Sequence, residues 1–154
     1  MINLKKIIIS LFLIFFSNFL YANENEIKIV SDKLEIIQEP LKSIFIGNVY
    51  AHDNEVKLWA DKIIMVFNGP NNKLNIIEAY GNTKIIRDNQ EIFAEKIIYN
   101  LTSETISAQG NIVLIEEKNS IIGDELVIDL KNSTSIIKSQ DSKRVRAVII
   151  KNDE

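Results

Sequence analysis

The strongest constraint on this chain is that it repeats itself. Small-acidic-basic triplets stand at Ser31-Asp32-Lys33, Ala60-Asp61-Lys62 and Ala94-Glu95-Lys96, with a fainter fourth at Gly123-Asp124-Glu125. Their small residues are 29, 34 and 29 apart. Between them lie Gly47-Asn48, Gly81-Asn82 and Gly110-Asn111, at steps of 34 and 29. The two series interleave and share one length change, which the turn from Asn68 to Asn72 absorbs. A period of this size implies one supersecondary unit stacked on copies of itself.

Aligned on the small residue of each triplet, apolar or small side chains recur two positions before, at the residue itself, and three, five and seven after. Leu58, Ala60, Ile63, Met65 and Phe67 make up this pattern in one unit; Ile92, Ala94, Ile97, Tyr99 and Leu101 do so in the next. Each half has the strand period of two. Between the halves the parity slips by one, which inverts the face unless a bulge or corner absorbs a residue. Each triplet therefore predicts a bend whose charged residues face water. Around the Gly-Asn pairs the parity is unbroken: Ile77, Ala79, Thr83 and Ile85 flank one, and Ile106, Ala108, Ile112 and Leu114 another. The glycines are expected on the core face, where the strand can curl or the backbone be approached closely.

The pattern predicts strands at about 26–31, 33–38, 43–52, 55–60, 62–67, 73–80, 82–87, 91–95, 96–101, 104–109, 111–116, 119–123, 125–130 and 134–139. Turn residues separate many of them, including Asp53-Asn54, Asn68-Gly69-Pro70 and Asp88-Asn89. No helical period appears after residue 23, so the class is all-β: sandwich, barrel or roll. A spiral of strand pairs has two ends with unpaired backbone groups. If the ends differ, pairing between molecules is head-to-tail and need not close.

The first residues are a separate object. Lys5 and Lys6 precede the apolar stretch Ile7 to Phe16, and Ala22 is a small residue at a suitable cut. This order reads as an export signal over 1–22, cleaved near Ala22, followed by a β-domain over 23–140 and a strand or loose tail over 141–154. The alternative is an uncleaved anchor. Cleavage removes two of the 18 basic residues and none of the 21 acidic ones, leaving a net charge of −5. That is a poor match for a nucleic-acid binder. The chain has no cysteine, so an exported domain must rely on its hydrophobic core, without disulfides or thiolate metal sites.

Catalytic chemistry is sparse. His52 is the only histidine and lies beside the Asp53-Asn54 turn, which reads as an exposed turn residue. Asp61, Glu95 and Asp124 recur once per unit, as solvated corner residues do. There is no nucleophile elbow and no phosphate loop. Asn100-Leu101-Thr102 and Asn132-Ser133-Thr134 match a short glycosylation pattern that is common by chance. The expectation is a non-enzyme without cofactor or metal. Abundant aliphatic residues on one strand face form a core if closed, or a slot for fatty chains if open; composition does not separate the two.

Gly-Asn-Val at 47–49, then "VKLWADKIIMVF", "AYGNTKIIRDNQEIFAEKIIYN" and "AQGNIVLIEEKNSIIGDELVIDL", taken in order, resemble the LptA/OstA-like periplasmic proteins of lipopolysaccharide transport over about residues 27–138. The resemblance implies a twisted, open β-jelly roll, V-shaped, with two antiparallel sheets. It implies lipid A acyl chains bound in the groove, and end-to-end stacking with related β-jelly rolls of the inner- and outer-membrane complexes, including head-to-tail homo-oligomers. Energy comes from a separate ATPase. Carried over by column, the lining comprises Phe45, Val49, Leu58, Ile63, Met65, Phe67, Ile77, Ile85, Ile92, Ile97, Tyr99, Ile106, Ile112, Leu114, Leu126 and Ile128. Two alternatives stay open: a membrane-anchored, LptC-like component of the same pathway, and a structural filament or adhesion β-roll with a closed core.

Overall fold

The computed structural model describes residues 26–141 and 143–150. The proposed signal segment, 1–22, lies outside the described residues. Ten strands follow one another: β1 (Lys28–Val30), β2 (Lys33–Gln38), β3 (Leu41–His52), β4 (Val56–Asn68), β5 (Lys73–Arg87), β6 (Gln90–Asn100), β7 (Thr105–Glu116), β8 (Asn119–Asp129), β9 (Thr134–Lys138) and β10 (Arg146–Val148). Every pairing is antiparallel between chain neighbours from β3 to β8. β1 and β2 both pair with β3, while β9 and β10 both pair with β8. The ladder therefore has eight positions, the first and last each made of two short strands in line. It does not close: the first and last positions share no pairing.

Most of the short strands expected in pairs on either side of a triplet or a glycine are single long strands. Thus 55–60 and 62–67 are both in β4, and 73–80 and 82–87 both in β5. Hydrogen bonding continues through the bend, so the two sheets are two leaves of one folded sheet. One leaf, the β2–β9 leaf, takes the first half of β3, where Lys42–Ile46 pairs with Lys62–Val66. The other, the β1–β10 leaf, takes Val49–His52, paired with Lys57–Ala60. Buried residues of both leaves belong to one apolar cluster, so these faces are opposed.

The fold line is built by both repeated motifs together. Gly47-Asn48 stands opposite Asp61 alone, because Ile46 pairs with Lys62 and Val49 with Ala60. Gly81-Asn82 stands likewise opposite Glu95, and Gly110-Asn111 opposite Asp124. In each pair both residues have positive φ: +74 for Gly81 and 47 for Asn82, with the other pairs alike. Glycine and asparagine are the residues that adopt this region most readily. Each asparagine then donates its side-chain N–H to the carboxylate of the preceding neighbour: Asn48 to Asp32 at 2.8 Å, Asn82 to Asp61 at 2.9 Å, and Asn111 to Glu95 at 2.5 Å.

The glycines do not face the core, contrary to expectation. A side chain at Gly81 would run into the Asp61 carboxylate, one at Gly47 into Asp32, and one at Gly110 into Glu95. The left-handed pair rotates the missing side chain toward the charged outer rim. Two residues here face one on the neighbouring strand, so each bulge adds a single residue, which takes up the parity slip of the facing triplet.

Gly81→Ala is expected to destabilise the protein by about 1–3 kcal/mol, through both the left-handed backbone and the blocked carboxylate. Gly69→Ala, also at positive φ (+77) but with nothing within 4 Å, is expected to cost only about 1 kcal/mol. Urea unfolding of both variants checks the ranking, and adding Asp61→Ala should recover part of the Gly81→Ala loss only.

The apolar interior as a candidate functional site

Inward residues line up in rows parallel to the fold line. In the β2–β9 leaf the first row runs Leu34, Phe45, Ile63, Ala79, Ile97, Ala108, Leu126 and Ile137. In the β1–β10 leaf it runs Val49, Ala60, Thr83, Ala94, Ile112 and Gly123. Ile63 and Ile112 are 0% exposed and Ile97 is 2% exposed, so the floor beside the fold line is packed shut. Fully burying each such side chain contributes roughly 1.5–3 kcal/mol. The second rows, Met65, Ile77, Tyr99, Ile106 and Ile128 in one leaf and Leu58, Ile85, Ile92 and Leu114 in the other, lie further out.

Of the lining residues expected from sequence, Val49, Leu58, Ile63, Met65, Ile85, Ile92, Ile97, Ile112 and Leu126 are buried in the common cluster. Phe45, Phe67, Ile77, Ile106, Leu114 and Ile128 pack against it and keep part of their surface open. Tyr99 is half-buried in the same row as Ile77 and Ile106 but outside that cluster. The carried-over lining left out Ala51, Ala60, Ala79, Ala94 and Ala108, which the columns place inward and which are buried in the common cluster. Their signal was in the pattern, since each occupies an inward position, but small size hid them among neutral residues.

The third rows differ between the leaves. The β2–β9 leaf continues with Phe67 opposite Leu74, both against the core. The β1–β10 leaf starts with Val56 and then turns polar: Arg87, Gln90, Glu116 and Asn119 stand in line. Gln90 donates to Glu116 at 3.0 Å, and Arg87 reaches Glu55 at 3.4 Å. One leaf stays apolar at Phe67 and Leu74; the facing one has a polar rim.

The interior itself is electrically quiet. Thr83 is its buried polar side chain, and its hydroxyl donates to the Ala94 carbonyl at 2.7 Å. Among the described residues no buried side-chain polar atom lacks a partner, and no cluster of acidic and histidine side chains is placed to hold a metal. Charges sit on the convex side. The Lys62 and Lys96 ammonium groups lie 5.0 and 5.2 Å from the centre of the Tyr80 ring. The Tyr80 hydroxyl donates to Glu78, and that bond to a carboxylate, with burial, pushes its pKa up to about 12. His52 is the last residue of β3, partly buried, with its ring stacked on Tyr50 at 5.3 Å. It ends its strand as the 43–52 segment predicts, and pairing with β1 leaves it partly buried where an exposed turn residue was expected.

The fourth carboxylate has no Gly-Asn partner on its C-terminal side. Asp124 instead accepts the Gln140 backbone N–H at 2.9 Å and lies 3.5 Å from the Lys143 ammonium. The Gln140 bond, then Lys143, holds its carboxyl below the usual carboxylate range despite some desolvation. The bend between β9 and β10 thus takes the place of a bulge.

A once-folded antiparallel meander with an apolar interior, open between its first and last strands, defines the class: an open β-jelly roll. Residues 28–134 match the family described as LptA/(LptD N-terminal domain) LPS transport protein. This chain belongs to that family. Its fold is similar to the crystal structure of LptH, the LptA-homologous periplasmic component of the lipopolysaccharide transport device from Pseudomonas aeruginosa, with a TM-score of 0.73 at 15% identity, covering 83% of this chain and 97% of that one. No curated protein sequence matches this chain at a significant level.

Because the Asp124 pKa is lowered in the folded state, its stabilising contribution is present above the ordinary carboxylate range near pH ~4 and is lost as pH falls through the lowered value. Residues 139–150 are expected to become protease-sensitive in that window while the β3–β8 meander stays folded. Asp124→Asn should show the same sensitivity at neutral pH, read by limited proteolysis and mass spectrometry.

Proposed function

We propose that this protein is a non-enzymatic periplasmic carrier of lipopolysaccharide, sheltering lipid A acyl chains between its two leaves on the way from inner to outer membrane. The observation that carries this reading is the inward face: rows of aliphatic residues from both leaves, unbroken by an unpaired polar atom, in a sheet whose ends stay open. Hydrocarbon gains about 0.8 kcal/mol per buried CH₂, so a dozen methylenes give roughly 10 kcal/mol before the costs of ordering. Passive burial of that size holds a lipid out of water with no covalent chemistry.

The packed floor and the half-open second and third rows set the route. Chains enter at Phe67, Leu74, Ile77, Ile106 and Ile128, and the leaves spread only as far as the bulged fold line yields. In this reading the export signal is cleaved near Ala22. The two edges pair end to end with related β-jelly rolls of the membrane complexes and with further copies of the chain. Direction comes from an external energy source.

Photo-crosslinking residues placed at Phe67 or Ile106 are expected to label lipid A, while one at Ile98 on the convex face stays unlabelled. Ile106→Asp should cut lipid A binding by about tenfold or more, with the protein still folded by circular dichroism. Labelling from Ile98 alone, or none from any position at saturating lipid, points to a closed structural roll.

A further inference from the structure

The convex side of the β1–β10 leaf carries a row that the apolar interior does not explain. Pairing sets Tyr50, Trp59, Lys84 and Phe93 side by side on the successive strands β3 to β6, just outside the fold line. The solvent face of an antiparallel sheet ordinarily reads polar. Here three aromatic rings lie on it, each half-buried. The Tyr50 and Trp59 rings pack with their centres 5.0 Å apart. The Lys84 ammonium lies 5.8 Å from the centre of the Trp59 ring and 5.0 Å from that of Phe93. Glu91 pairs with that ammonium at 2.9 Å, so the row offers ring surface and methylene stem more than free charge.

Beside this row the bulges hollow the surface. A cavity of about 430 Å³ is lined by Trp59, Lys84 and Phe93 from the row and by Asn82, Glu95 and Asn111 from the fold line. The polar groups are held in place. Asn82 donates its N–H to Asp61 and Asn111 donates its own to Glu95, which fixes both amides and leaves their carbonyl oxygens to accept. Flat rings beside a few fixed polar groups make a recognition surface. The electron-rich ring face attracts polarised C–H groups, while the amides and the carboxylate bind hydroxyls. A pyranose ring has just these two aspects: a C–H face and a rim of hydroxyls. Charge narrows the class. Asp61, Glu91 and Glu95 outnumber Lys84 around the hollow, which disfavours phosphorylated or acidic sugars. Asn82 and Asn111 stand two strands apart, about 9–10 Å at ordinary strand spacing, the reach of two linked rings rather than one.

We propose that this hollow is a carbohydrate-binding site for a chain of uncharged pyranose rings. One ring stacks on the aromatic row at Phe93 and Trp59, and its hydroxyls reach Asn82, Asn111 and Glu95. The site lies on the outer face of the leaf, so it is separate from the apolar interior and does not depend on what that interior holds. The same strands serve both faces: Leu58, Ala60, Thr83, Ile92 and Ala94 point inward, while Trp59, Lys84 and Phe93 between them point outward. The Asn–carboxylate bonds that make the fold line also set the spacing of the polar contacts.

Trp59 is the only tryptophan in the chain, so the site carries its own reporter. Titrating the full protein with tri-N-acetylchitotriose and, separately, with maltotriose is expected to change its fluorescence saturably, with half-saturation below about 10 mM for at least one of them. Tighter binding of the first assigns the ligand to an N-acetylated glucosamine polymer; tighter binding of the second assigns it to a plain hexose chain. Phe93→Leu keeps apolar bulk but loses the ring face. It should weaken binding by at least about fivefold while the protein stays folded by circular dichroism. Sodium phosphate at the same concentrations should leave the fluorescence unchanged. Lack of a saturable change with either trisaccharide overturns the proposal, and so does an equal response to phosphate or undiminished binding by Phe93→Leu. These titrations use no lipid, so their outcome is distinct from that of crosslinking inside the trough.

Discussion

The hydrogen bond from an asparagine side chain to a carboxylate on the neighbouring strand is the contact on which the molecule is folded. It occurs at Asn48–Asp32, Asn82–Asp61 and Asn111–Glu95. Each alone is an exposed bond of modest worth, near ~1 kcal/mol or a little more because one partner is charged. Its importance lies in position. It ties a two-residue left-handed bulge to the strand beside it, and the bulges fall in line across the sheet. A twisted antiparallel sheet with one bulge bends locally; with bulges in register on alternate strands it folds along a line. The opposed leaves, the shared core and the open ends all follow from that line.

This explains how much of the structure could be read from residues alone. The triplets and the Gly-Asn pairs were visible because each is a local departure from strand chemistry repeated at a fixed step. Their partnership was not visible, since Asp61 and Asn82 are far apart in sequence and meet only through pairing of β4 with β5. The facing of the glycines was misjudged for a related reason: parity counts assume extended backbone, and two successive residues at positive φ break that assumption while preserving the count. The large lining residues were legible from the period of two. The floor alanines were not singled out, although Ala79 and Ala108 are each 1% exposed, because a small side chain carries little hydrophobic signal. His52 stands at the end of its strand, as the 43–52 segment predicts, but its partial burial was not legible because it comes from pairing with β1 and stacking on Tyr50.

Under the proposed function, one surface serves both stability and carriage. Rows beside the fold line are sealed and supply the core that a cysteine-free domain requires. Rows further out keep apolar area partly exposed, which costs stability in the empty protein and becomes an asset when hydrocarbon covers it. In that reading the two roles are separated by distance from the bend.

The unequal lips carry a last consequence. One edge of the trough is greasy as far as Phe67 and Leu74, while the facing edge ends in Arg87, Gln90 and Glu116. A molecule with a water-loving end and oily tails has one preferred roll angle between such margins. In the proposed transport from one trough to the next, cargo would keep the same side up throughout and need not tumble at each transfer.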